Sequence, residues 1–266
     1  MIIKERRDMR PGIRTTLILL TGAVFLLSGY LFLKTLGDYR QGQARYEALE
    51  QYVSAVLPTE PPHSPAVTVS EPEVTEMVTV PQVDFPALAE INPDVAGWIC
   101  LDGTNISYPI VQGQDNDHYL THLFDGTKNR AGCIFMDYRC SPDLSDVHTI
   151  IYGHHLRDGT MFTELMSYKR QEFYDAHPTG LLLMPDGAYM IRFFAGYVSD
   201  NDSNAWDLEL DPDGLTDWID SVCRRSYFSP ESVPGPDDRI VTLSTCTYEF
   251  EDAKFVLHGY LERYGG

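Results

Sequence analysis

The sequence predicts a mostly β domain carried behind one N-terminal membrane-spanning helix. Three observations predict it. An uncharged apolar run lies near the N-terminus, a Pro-rich polar stretch follows, and eight short β-like runs then recur between turn signals.

The apolar run is Thr15 to Leu33, TTLILLTGAVFLLSGYLFL, 19 residues without a charge. At about 1.5 Å per residue, a helix of that length just spans a hydrocarbon core of roughly 30 Å. Residues 1–14, MIIKERRDMRPGIR, carry +3 of a chain total of −19, so the remainder carries −22. A basic flank stays cytoplasmic, which sends the acidic bulk outward. A cleaved signal peptide is the alternative. Against it, the run exceeds a usual h-region and no small-x-small site closes it. Both readings place residues 34–266 outside the membrane. The acidic balance excludes a nucleic-acid surface, which needs clustered Lys and Arg to displace counterions.

After the span, residues 34–57 have helical spacing, with Tyr39, Tyr46, Leu49, Tyr52, Val53 and Val56 able to share a face. They read as a stalk or docking helix. Residues 58–82 are rich in Pro, Glu, Thr and Val, a composition that builds no core and favours an extended spacer. The expected organisation is therefore a cytoplasmic basic segment (1–14), a transmembrane signal anchor (15–33), a helical stalk (34–57), a linker (58–82) and a globular domain (83–266).

The globular part opens with a short helix in FPALAEINPDVAGWICL that leads into a strand. The β-like runs are GWICL, YPIVQ, GCIFMDY, HTIIYGH, GLLLMP, YMIRFFAGYVS, DRIVTLSTC and KFVLHGYLER. Such a series predicts a β-barrel or sandwich. Two helical interruptions stand out, DGTMFTELMSYKRQEFYDAHP and DPDGLTDWIDSVCRRSYF. Five cysteines outside the cytoplasm raise the question of disulfides, and an odd count leaves at least one thiol free. A buried free thiol is the default for Cys100, Cys133, Cys140 and Cys223. A Cys133–Cys140 bridge is the alternative. No pair has the C-x-x-C spacing of a zinc or redox site.

The chemistry concentrates in TLSTCTYEFEDAKFVLHG, Thr242 to Gly259. Period two along RIVTLSTC puts Ile240, Thr242, Ser244 and Cys246 on one face and Val241, Leu243 and Thr245 on the other. The first face is polar and ends in a thiol, which suits a cleft wall better than a core layer. A thiol nucleophile needs a base or a cation to hold it as thiolate. His154 and His155 follow another strand in IYGHHLRDG, in the order His…Cys, opposite to the papain-like order. A thiolate attacking an amide also needs its oxyanion stabilised. In KFVLHGYL, alternation sets Lys254, Val256 and His258 on one face, so Lys254 faces the same cleft as Cys246. Taken singly, a cysteine at a strand end is usually structural and a His pair after a glycine is usually a turn.

Together and in this order, these residues resemble the sortases, the cysteine transpeptidases of Gram-positive bacterial surfaces. The family signature is T-L-x-T-C followed by a strand carrying an Arg, and Thr242-Leu243-Ser244-Thr245-Cys246 matches it. The serine in that motif, IYGHH…DGTMF, INPDVAGWI, YPIVQGQDNDHYL and FDGTKNRAGCIFMDYR are similar to class B in particular. The resemblance spans residues 84–263 and implies an eight-stranded sortase-type β-barrel with helical insertions.

It also implies roles. Cys246 matches the nucleophile, which attacks the Thr–Gly or similar bond of a secreted protein's C-terminal sorting signal and forms a thioacyl enzyme. His154 matches the histidine that protonates the leaving amine and deprotonates the incoming one; His155 is its neighbour. Leu120 aligns with an apolar residue lining the substrate groove, and Ser244 with a position beside it. Asn116 and Thr245 join them as substrate-binding residues. The helical insert at about 198–230 is expected to cover the signal peptide. The implied partners are secreted surface proteins bearing a sorting signal, an acceptor amine of peptidoglycan precursor or pilin, and the cell membrane through the N-terminal helix. The implied location is single-pass, with the N-terminus cytoplasmic and the catalytic domain extracellular. No cofactor or metal is expected; Asp115, Asp117, Glu249, Glu251 and Asp252 read as a solvated rim rather than a calcium site.

One position departs from the pattern. Lys254 stands where the family has Arg, and no Arg lies between Cys246 and Arg263. Arg offers a planar fork of five donors, whereas Lys offers one flexible point charge. The departure keeps a second reading open, a catalytically weak or inactive sortase-fold module that binds sorting signals or pilins. A hydrolytic cysteine protease, in which water resolves the acyl enzyme, is a third.

Overall fold

A computed structural model describes residues 11–55, 80–200, 203–210, 212–247, 249 and 252–264. Most of the basic segment, most of the Pro-rich linker and Glu251 lie outside the described residues. The chain divides into two compact units, Met1–Gln41 and Gly42–Gly266.

The first unit is the greater part of helix α1, Pro11–Leu49. The apolar stretch and residues 34–49 of the expected stalk form this one 39-residue helix, about 58 Å long at 1.5 Å per residue, whereas Val53–Ala55, expected to continue it, is a strand. Its apolar side chains, Leu17 to Leu33, are exposed, and the segment is long and apolar enough to cross a bilayer.

The second unit begins with the last turns of α1, where Tyr46 and Leu49 are buried. A 3-10 turn at Glu50–Tyr52 ends the helix, and strand β1 (Val53–Ala55) pairs antiparallel with β2 (Pro81–Val83). The compact unit therefore takes in residues on both sides of the linker, ahead of the residue 83 boundary read from composition. Helix α2 (Phe85–Ile91) follows, its first turn capped by Asp84 Oδ1, which accepts from the Ala87 N–H at 3.0 Å.

All eight β-like runs form strands: β3 (Val95–Cys100), β4 (Ser107–Val111), β5 (Ile134–Met136), β6 (His148–Tyr152), β7 (Thr179–Met184), β8 (Gly187–Ser199), β9 (Ile240–Cys246) and β10 (Lys254–Arg263). They close into a barrel in the order β10-β8-β7-β3-β4-β5-β6-β9. Closure removes the unpaired edges that an open sheet of this size would expose. Two neighbour pairs, β4 with β5 and β6 with β9, are parallel, and the rest are antiparallel. The first interruption becomes a 3-10 turn (Thr163–Lys169) and helix α3 (Gln171–Ala176). The second becomes helix α4 (Pro212–Cys223).

The core has two layers. Leu215, Trp218, Ile219 and Val222 of α4 pack on Phe194, Ala195, Tyr197, Ile240, Val256 and Tyr260. Period two then turns the opposite faces of β9 and β10, Val241, Leu243, Phe255 and Leu257, into the barrel, and all four are fully buried.

This arrangement corrects one sequence reading. The polar face of β9 is not an open cleft wall along its length. Thr242 and Ser244 are buried beneath α4 and the 204–210 segment, and only Cys246 emerges. The Thr242 hydroxyl is instead spent on two buried histidines, His148 Nε2 and His258 Nδ1, each at 2.6 Å. The Asp207 carbonyl, 2.6 Å from His148 Nδ1, can only accept, so Nδ1 carries the proton. The rest of the chain follows. Thr242 donates to His148 Nε2 and accepts from His258 Nδ1–H, and Tyr197 donates to His258 Nε2 at 3.2 Å. Both rings are neutral. Burial holds His148 down at about 4, and burial together with the neighbouring His148 holds His258 well below its ordinary value.

Candidate active site

Strands β6 and β9 run parallel, with Tyr152 opposite Ser244 at their last paired position. The Gly153 N–H donates to the Ser244 carbonyl at 3.1 Å and continues the contact by one residue. Each strand then releases one side chain from the same rim, His154 from β6 and Cys246 from β9. Across the β9–β10 ladder, Lys254 is the Cα partner of Cys246. Opposite residues of an antiparallel pair share a face, so thiol and ammonium stand on one side.

The seven residues singled out from the sequence, Asn116, Leu120, His154, Ser244, Thr245, Cys246 and Lys254, line one cleft of about 260 Å³. Phe135, Tyr152 and Gly153 complete it. Phe135 and Tyr152 were not singled out, although both lie in the quoted strands and Tyr152 shares the face of His154 by period two. Cys246 is the exposed cysteine of the five, and His154 and Lys254 are half-buried. All five cysteines are free, so the Cys133–Cys140 bridge is not formed. Burial pushes the Cys133 thiol up to about 12 and the Cys140 thiol up to about 11.

The orientation of His154 is fixed locally. Its Nε2 lies 2.7 Å from the Leu120 carbonyl, which can only accept, so Nε2 carries the proton and Nδ1 is left as the basic nitrogen. One glycine makes room for the ring, and a second lets the preceding backbone pass between side chains. Gly132 adopts φ +60, and a Cβ there would meet the Tyr119 carbonyl at 2.5 Å, the Leu120 carbonyl at 2.9 Å and His154 Cδ2 at 3.1 Å. A Cβ on Gly153 would strike Ile134 at 2.5 Å and Phe162 at 2.7 Å. The Gly132 carbonyl in turn accepts from the Tyr46 hydroxyl at 2.5 Å, which ties the end of α1 to the segment behind the histidine. His155 turns elsewhere: its Nδ1–H donates to the Cys246 carbonyl at 2.9 Å and steadies the backbone of the nucleophile candidate.

The segment between β8 and α4 reaches the cleft's edge through Trp206, whose Nε1–H donates to Ser244 Oγ at 3.3 Å. The Thr245 hydroxyl is buried and has no hydrogen-bond partner among the described residues. The acidic positions near the cleft are spent locally. Asp115 accepts from the Asp117 and His118 N–H groups, and Glu249 pairs with Lys169 and accepts from Thr247. Among the described residues no group of three His, Cys, Asp or Glu side chains is placed to hold a metal.

A thiol, a histidine with a free basic nitrogen and a cation on one rim can perform acyl transfer through a thioester. No family model matches the chain. It is 37% identical to sortase B of Listeria monocytogenes over 177 residues, 65% of this chain and 72% of that protein. It is 32% identical to sortase B of Staphylococcus aureus over 234 residues, 87% of this chain and 88% of that protein. The chain belongs to the sortase B family. Solved sortase B structures superpose on it. A Staphylococcus aureus sortase B–substrate complex matches with a TM-score of 0.65 at 32% identity, covering 68% of this chain and 85% of that one. Bacillus anthracis sortase B in complex with AAEK1 matches with a TM-score of 0.69 at 28% identity, covering 86% of this chain and all of that one. The protein is thus a sortase B-type cysteine transpeptidase by descent, and its closed eight-stranded barrel is the sortase B fold.

Proposed function

We propose that the chain is a membrane-anchored transpeptidase that cleaves the C-terminal sorting signal of secreted proteins and transfers them to an amine of peptidoglycan or a pilin. Cys246 is the nucleophile, His154 the acid and base, and Lys254 the oxyanion cation. His154 Nδ1 takes the proton of the Cys246 thiol, and the thiolate so formed attacks the scissile carbonyl carbon. The C–N bond breaks as His154 gives its Nδ1 proton to the leaving amine, and a thioester remains. The acceptor amine then gives a proton to His154 Nδ1, attacks the thioester and releases the thiolate. The observation that carries this reading is the convergence of Cys246, His154 and Lys254 on one cleft. Asn116, Leu120, Ser244 and Thr245 of the same cleft bind the peptide.

The N-terminal basic segment stays in the cytoplasm, α1 crosses the membrane, and the barrel works outside, with the stretch around 58–82 as spacer. A binding module without turnover is the second reading, and Lys254 in the place of the family Arg is what favours it. Intact-mass spectrometry of the full chain in detergent, mixed with a panel of sorting-signal peptides, separates the two. The expected result is a mass gain equal to the peptide's N-terminal fragment, absent in Cys246→Ala. Peptide binding without an adduct would establish the non-catalytic binder.

A further inference from the structure

Beneath the cleft lies a carboxylate that the acyl-transfer chemistry does not use. Asp137, just past β5, has a fully buried side chain. Arg139 grips it with Nε at 2.9 Å from Oδ1 and Nη2 at 2.8 Å from Oδ2, and its backbone N–H adds a bond at 3.0 Å. Two further donors come from cleft-lining residues. Asn116 Nδ2 lies 3.0 Å, and the Tyr152 hydroxyl 3.1 Å, from Oδ2. Gln112 holds the backbone in place by donating to the Asp137 and Cys140 carbonyls. Burial pushes the Asp137 carboxyl up, but these donors and the Arg139 charge outweigh it and leave it below the usual range, so it is ionised.

The charge dictates how Asn116 sits. Its Oδ1 accepts from the Tyr138 N–H at 3.1 Å while its Nδ2 donates to Asp137. Turning the amide over would set its oxygen against a carboxylate and its NH₂ against an N–H. One orientation survives, with a single Nδ2–H left over for the cleft. Tyr152 is held as a donor too, because burial and the Asp137 charge both raise its hydroxyl well above its ordinary value.

We infer that Asp137 is a positioning residue for substrate: through Asn116 it makes this part of the cleft a hydrogen-bond donor to a carbonyl of an extended peptide, and through Tyr152 it fixes the adjoining wall. The inference rests on the reading of the cleft as a sorting-signal site. It assigns no proton transfer to Asp137, and it predicts a loss in peptide affinity rather than in thiol reactivity.

The test uses the full chain in detergent and one peptide that forms the Cys246 adduct. Absence of that adduct in the unsubstituted protein counts against the proposed function and is scored first. Asp137→Asn, Asn116→Ala and the double variant are then compared. Asp137→Asn is expected to raise KM about tenfold, with the rate of Cys246 alkylation by iodoacetamide unchanged. In the Asn116→Ala background it is expected to add little, because the two residues act as one unit. Additive effects on KM, an unchanged KM or slowed alkylation would each overturn the inference. Since Asp137→Asn removes a charge that Arg139 depends on, the exchanged pair Asn116→Asp/Asp137→Asn is made as well. It keeps one amide against one carboxylate but offers the cleft an acceptor, so it is expected to fold and still show the raised KM. A normal KM in the exchanged pair, or loss of fold in both variants, assigns Asp137 to the fold alone.

Discussion

Lys254 and Cys246 are direct partners across the β9–β10 ladder, so the cation and the thiol face one another over a single interstrand spacing. On the proposed mechanism, a point charge in that place stabilises the oxyanion without the two-pronged grip of a guanidinium. Lys254→Met is expected to lower the rate of adduct formation by about 100–1000-fold, the usual cost of a lost oxyanion donor. Lys254→Arg is expected to raise kcat/KM. Single-turnover mass spectrometry reads both, and an arginine variant no faster than the lysine protein would show that residue 254 does not limit the reaction.

Thiol chemistry should be selective. Cys246 is exposed, whereas burial raises the thiols of Cys100, Cys133, Cys140 and Cys223. Brief iodoacetamide treatment near pH 7 is expected to add one carbamidomethyl group, and Cys246→Ala to abolish it. A second early adduct would contradict the buried environments.

Thr245 should separate stability from activity. Its hydroxyl is buried without a partner among the described residues, a cost of about 1–3 kcal/mol that natural proteins tolerate where function requires it. Thr245→Val removes that cost at nearly constant volume, so the melting temperature is expected to hold or rise while kcat/KM falls about tenfold. A variant that is both stable and fully active would free Thr245 of any role in the cleft.

The pair His148 and His258 predicts a pH dependence with a definite sign. Both are neutral when folded, and His148 is held down at about 4 against an ordinary value of 6.5. Between those values the unfolded chain binds more protons, so stability rises with pH. The contribution is complete above about 6.5 and is lost as pH falls toward 4, on the order of 3 kcal/mol for His148. Asp137 and Glu249, held below the usual carboxylate range, lose theirs at lower pH. Urea midpoints from pH 7.5 to 4.5 are expected to fall, and His148→Gln to flatten the slope.

Tyr46 predicts where a soluble version can begin. Its hydroxyl serves the Gly132 carbonyl behind His154, and β1 pairs with β2. Removing residues before 84 is expected to lower the melting temperature by several degrees and to slow adduct formation, whereas removing residues before 42 spares both. Tyr46→Phe alone should cost about 1–2 kcal/mol by leaving a buried carbonyl unpaired. Equal melting temperatures for the two truncations would refute this.

The strands were legible because most runs of apolar and β-branched residues are closed by Gly, Asp, Asn or Pro, and that punctuation survives without tertiary knowledge. The cleft residues were legible because TLSTC and IYGHH sit at strand ends, where side chains leave the ladder. What stayed hidden depends on distant partners. Period two separated the two faces of β9, but it could not say that α4 and Asp207 would cover Thr242 or that His148 would bond to it across 94 residues. A charged Asp137 inside the apolar run GCIFMDYR was a signal of a paired buried carboxylate, yet its link to Asn116 needs the β4–β5 neighbourhood. Tyr46 likewise fitted a helical face without naming Gly132 as its acceptor.

The parallel pairing of β6 with β9 has a consequence for the birth of the protein. Ile150 meets Thr242 across 92 residues of chain, and β9 must then be sealed by β10, the final strand. Contacts of such long sequence separation form late, after the cost of closing the intervening loop. A chain that has not yet paired β10 therefore holds His154 beyond β6 while Cys246 ends a strand with one side still open. Cys246 gains Lys254 as its neighbour only when that last strand pairs, so β10 completes the rim of the cleft.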